Sequence, residues 1–87
     1  MDNKTNVMYI DTYDNHGHIE AIVYYNGRRN LFQINNQISK SKIPLKSFLL
    51  SRNFSNYKIY LDNHGFGAAI ENILIELNIK YEIIQIR

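Results

Sequence analysis

The stretch Tyr57-Lys58-Ile59-Tyr60-Leu61-Asp62-Asn63-His64-Gly65-Phe66-Gly67-Ala68-Ala69-Ile70 changes its period halfway along. Tyr57 to Leu61 is dense in β-branched and aromatic residues, which predicts a strand that stops at Asp62-Asn63-His64-Gly65. From Phe66 the period becomes helical. Phe66, Ile70, Ile73, Leu74 and Leu77 form one apolar face, with Glu71, Asn72, Glu76 and Asn78 on or near the other. Lys80 to Ile86, carrying Tyr81, Ile83 and Ile84, then predicts a final strand. A strand–helix–strand crossover lays its two strands parallel in one sheet.

Upstream, the pattern is that of an antiparallel meander. Val7-Met8-Tyr9-Ile10 runs into Asp11-Thr12-Tyr13 as a first strand, bounded by the turn-forming Asp14-Asn15-His16-Gly17. His18 to Asn26 is a second strand. Its core, Ala21-Ile22-Val23-Tyr24-Tyr25, is so rich in β-formers that it reads as buried on both faces. Asn26-Gly27 is the favoured pair for a tight hairpin turn, and Arg29 to Asn35 follows as a third strand. Leu31 and Gln33 fall on one face of it, Phe32 and Ile34 on the other. Between meander and crossover, Leu45, Phe48 and Leu49 make a short apolar stripe, predicting a helix from Pro44 to Arg52. Ser39 and Ser41 are candidate caps before it.

The order is thus β-β-β-α-β-α-β, an α/β mixed sheet in a single small domain spanning residues 1–87. The chain holds 87 residues, 45% of them hydrophobic, which is enough for one core and too apolar for a disordered tail. It has no Cys, so a disulfide framework and a thiolate zinc site are excluded. No window approaches a membrane-spanning apolar run, and no signal-peptide core is present, so a soluble bacterial cytoplasmic protein with no membrane partner is expected. Its richness in Asn and Ile fits the coding bias of an AT-rich bacterium or its mobile elements.

This element order resembles the core of the ribonuclease H-like superfamily, which includes ribonuclease H, Holliday-junction resolvases and the nuclease domains of phage large terminases. Asp11 in Tyr9-Ile10-Asp11 and Asp62 in Tyr60-Leu61-Asp62 fall where that family carries carboxylates, on the first strand and at the end of the fourth. Asp62 to Ile70 is similar to the acid-plus-glycine turn that enters a helix in terminase nuclease domains, and Val23 to Arg28 to the second hairpin of ribonuclease H. The resemblance implies that the first and fourth strands are neighbours. It also implies that Asp11 and Asp62 are catalytic, metal-holding residues of a Mg²⁺-dependent nuclease. In such a site two cations about 3.5–4 Å apart activate water and stabilise the leaving oxygen.

The sequence departs from the family in its acids. Gln37 to Arg52 contains none where ribonuclease H carries a helical Glu, the chain given ends at Arg87, and Glu71 is the only later acid near Asp62. An N-cap is the alternative role for Asp62, and an exposed strand end the alternative for Asp11. A non-enzyme is therefore expected, with no cofactor. Mg²⁺ enters only if a partner in a homodimer completes the ligand set.

Three further patterns bear on function. Asp-Asn-His-Gly occurs at Asp14–Gly17 and again at Asp62–Gly65, which with His18 gathers three His in two turns. Turn chemistry accounts for the repeat without a metal. Gly65-Phe66-Gly67 offers backbone N–H groups to a phosphate, or simply makes a tight strand-to-helix turn. The third pattern is charge. The net charge is only +2, yet Arg28 to Lys58 holds seven basic residues and no acid. Arg28, Arg29, Lys40, Lys42, Lys46, Arg52 and Lys58, with Tyr57 and Tyr60 to stack on bases, are the candidate binding residues.

The expected function is accordingly a small, non-catalytic interaction protein that binds nucleic acid or a nucleic-acid-handling protein complex. In size and compositional bias it is similar to phage-encoded host-defence antagonists such as anti-CRISPR proteins. The alternatives are the Asp11–Asp62 nuclease and an assembly protein that pairs through an exposed sheet edge.

Overall fold

The computed structural model describes residues 6–16, 18–34, 43–62 and 67–84. Its elements are β1 (Asn6–Asn15), β2 (His18–Tyr25), β3 (Arg28–Gln33), α1 (Leu45–Ser51), β4 (Tyr57–Asp62), α2 (Gly67–Glu76) and β5 (Glu82–Ile84). The five strands form one mixed sheet in the order β3-β2-β1-β4-β5. β1, β2 and β3 pair antiparallel, while β4 runs parallel to both β1 and β5. The predicted element order and the adjacency of the first and fourth strands are both present.

The hairpins are tighter than the composition implied. Pairing of β1 with β2 continues to Asn15 opposite His18, so Asp14 and Asn15 belong to the strand. Asn26 and Gly27 both take left-handed angles, φ 52 and φ 73, the backbone that a two-residue hairpin needs to match strand twist. A Cβ at Gly27 would meet nothing within 4 Å, so glycine is required there by φ alone.

Both helices lie on one face of the sheet. Met8, Ile10, Ala21, Val23, Ile59 and Leu61 point to that face and pack with Leu45 and Leu49 of α1 and Ile70 and Leu74 of α2. An aromatic group closes the core at the hairpin end. Phe48 stacks on Phe32 at 4.3 Å between centroids, and Phe54 meets Tyr57 edge-on at 5.1 Å. The entry to α1 is tied to β3 where the Gln33 N–H donates to the Ile43 carbonyl at 3.2 Å. Pro44 precedes α1 in an extended conformation, so the helix starts at Leu45.

α2 ends in a Schellman turn. The Asn78 N–H donates to the Ile75 carbonyl and the Ile79 N–H to the Leu74 carbonyl, with Asn78 at φ 60. Two side-chain contacts, one exposed and one part-buried, brace the helices. Lys46 on α1 pairs with Glu76 on α2 at 2.6 Å, and the Tyr81 hydroxyl donates to Glu71 Oε2 at 2.5 Å.

Candidate nucleic-acid interface

The opposite face of the sheet carries no helix among the described residues. Strand alternation sends Val7, Tyr9, Asp11 and Tyr13 of β1 to this face, with Ile22 and Tyr24 of β2 and Lys58, Tyr60 and Asp62 of β4. The centre of the second strand is therefore buried on the helix side, at Ala21 and Val23, and on the opposite side only at Glu20. Val23 is fully buried while Tyr24 is 41% exposed, because the covering layer lies on one side.

Register arranges this face in rows. Tyr24 pairs with Tyr9, Tyr9 with Tyr60, Arg29 with Tyr24 and Tyr60 with Glu82, so one row runs Arg29–Tyr24–Tyr9–Tyr60–Glu82. Tyr9 and Tyr60 stack at 5.3 Å with their planes 20° apart. Closer to the N-terminal end of β4, Lys58 pairs with Val7 and reaches Glu82 at 3.8 Å.

The next row toward the other end is acidic. Ile10 lies opposite Leu61 in the parallel ladder, so the following residues, Asp11 and Asp62, stand side by side, Asp62 at the carboxyl end of β4 and Asp11 midway along β1. Asp62 is buried, Asp11 is half-buried, and the Asp11 carboxylate accepts the Thr12 N–H at 2.8 Å. Both line a groove of about 580 Å³ together with Tyr9, Tyr24, Tyr60 and Ile84. Hard oxygen donors in this arrangement suit Mg²⁺ chemically. Among the described residues, however, no three His, Asp or Glu side chains are placed to hold one ion.

The basic residues divide between the faces. Arg29 and Lys58 lie on the open face with Tyr60. Arg28 pairs with Tyr25, and Tyr57 packs on Phe54 and Tyr25, so both belong to the helix side. Lys46 is held by Glu76 on α2, and Arg52 caps the end of α1. Lys40 and Lys42 lie outside the described residues, as do Ser39, Ser41 and residues 63–66, which include His64 and Gly65.

Sequence patterning alone overlooks three open-face tyrosines: Tyr9, Tyr13 and Tyr24, exposed by 43, 46 and 41%. Their signal lies in the spacing of Tyr9, Asp11 and Tyr13 at every second position. Glu20, buried on the same side as Tyr13, is a further carboxylate of this face.

No protein-family model matches the chain, and no curated protein or solved structure matches it either. No helix among the described residues is long and apolar enough to cross a membrane.

Proposed function

We propose that this chain is a small nucleic-acid-binding protein built on a ribonuclease H-like core, acting by binding rather than by cleavage. Strand order β3-β2-β1-β4-β5, with β4 parallel to β1 and β5, supports the ribonuclease H-like reading. The observation that carries the binding reading is a sheet face that bears three tyrosines in one row, with Arg29 at the β3 end of that row and Lys58, paired with Glu82, one row away on β4. Cations there meet phosphates while the rings beside them offer apolar surface.

Retention on immobilised single- and double-stranded DNA and RNA across a salt series tests this. Arg29→Glu with Lys58→Glu weakens retention and flattens the log–log salt slope by about one for each phosphate that is no longer neutralised. Lys80→Glu, on the exposed stretch before β5, leaves it unchanged. Absence of retention at low salt contradicts the reading.

One observation favours a second reading, a Mg²⁺-dependent nuclease: Asp11 and Asp62 share a row on adjacent parallel strands. Cleavage of DNA, RNA or branched substrates that requires Mg²⁺ or Mn²⁺, and is abolished in both Asp11→Ala and Asp62→Ala, would establish it.

A further inference from the structure

We infer that Tyr24, Tyr9 and Tyr60 form a stacking platform for unpaired bases, so that the ligand class of this face is single-stranded nucleic acid. The inference rests on the nucleic-acid reading above and names its site and substrate.

The geometry supplies the platform. Three aromatic residues occupy one row on three adjacent strands, with neighbouring strands about 4.8 Å apart. Tyr60 covers the β4 side of the Tyr9 ring, which holds that ring upright on the sheet. The other side of Tyr9 faces β2, where Tyr24 and Tyr9 together line grooves on both sides of the row. A planar base entering there continues the Tyr60–Tyr9 stack. Every base has a π-face, so such stacking tolerates sequence, whereas a duplex keeps its bases paired and withholds them.

Electrostatics fix the direction of the backbone. Arg29 ends the tyrosine row on β3, Glu82 ends it on β5 and pairs with Lys58 one row below at 3.8 Å, and Asp11 and Asp62 stand in the row above. Phosphates are attracted to the Arg29 end of the row and repelled by Asp11, Asp62 and Glu82, so the bound strand lies across the tyrosine row with its phosphates toward Arg29.

The test is fluorescence anisotropy of a labelled oligothymidylate of about a dozen nucleotides at low salt, against a duplex of the same length. Wild type binds the single strand more tightly than the duplex. Tyr9→Ala and Tyr24→Ala each weaken single-strand binding by at least about fivefold, and Tyr9→Phe and Tyr24→Phe retain it. Tyr13→Ala, on the same face beyond the acidic row, has no effect. Thermal unfolding shows which variants are folded, and the Phe variants keep the test open if an Ala variant is not. Equal binding of single strand and duplex, or full binding by folded Tyr9→Ala and Tyr24→Ala, overturns the platform while leaving nucleic-acid binding intact. Binding of neither probe overturns both.

Discussion

Tyr9 and Tyr60 stack across a parallel strand pair with 5.3 Å between ring centroids, on the sheet face opposite both helices. Aromatic pairs of this kind contribute about 0.5–1.5 kcal/mol beyond the area they bury. A double-mutant cycle of Tyr9→Leu and Tyr60→Leu, read by urea unfolding, should return a coupling energy in that range. A value near zero would mean the rings stand side by side without interacting.

The helix side holds the fold together. Ile70 and Leu74 of α2 are fully buried against Met8, Ile10, Ile59 and Leu61. Leu74→Ala should cost about 2–5 kcal/mol, the range for a truncated core residue that leaves a cavity. Lys46→Ala removes only an exposed ion pair and should cost under about 1 kcal/mol. Denaturant midpoints for the two variants compare the terms directly.

Two backbone positions make opposite predictions. Gly27→Ala places a side chain at φ 73 and should destabilise by about 1–2 kcal/mol, with no steric contribution. Asn78→Gly, at φ 60 in the Schellman turn, relieves a left-handed side-chain residue and should stabilise by up to about 1 kcal/mol. Paired unfolding curves check both signs.

Tyr81 titrates above the ordinary phenol value of 10.0. Its hydrogen bond to Glu71 is the main cause, followed by burial and by the Glu71 charge. The folded state therefore favours the neutral phenol. This contribution is complete below the unfolded value and is lost as pH rises through the higher folded one. Glu71→Gln should lower the Tyr81 phenol back toward 10.0 in an ultraviolet pH titration, and Tyr81→Phe should remove that phenol from the curve.

Much of this architecture is legible in the sequence because local signals agree with it. Asn26-Gly27 sets the hairpin, and the change of period after Leu61 separates β4 from α2. The pairing of β1 with β4 is long-range, and no local spacing in the sequence encodes it. The open face is harder to read. Ile22, Val23 and Tyr24 are equally good β-formers, and only the tertiary placement of α1 and α2 on one side separates buried Val23 from exposed Tyr24. The basic run misleads in a similar way. Continuity from Arg28 to Lys58 suggests one patch, but strand alternation divides Arg29 and Lys58 from Arg28, and Glu76 and Glu82 pair with Lys46 and Lys58.

The central claim is that this face holds a nucleic-acid strand without cutting it. A labelled single strand incubated with the protein and Mg²⁺ or Mn²⁺, followed by anisotropy and then by denaturing gel, reads both parts at once. The account predicts a bound and intact strand, with binding lowered by Arg29→Glu and Lys58→Glu. Failure to bind at low salt, or cleavage abolished by Asp11→Ala and by Asp62→Ala, would contradict it.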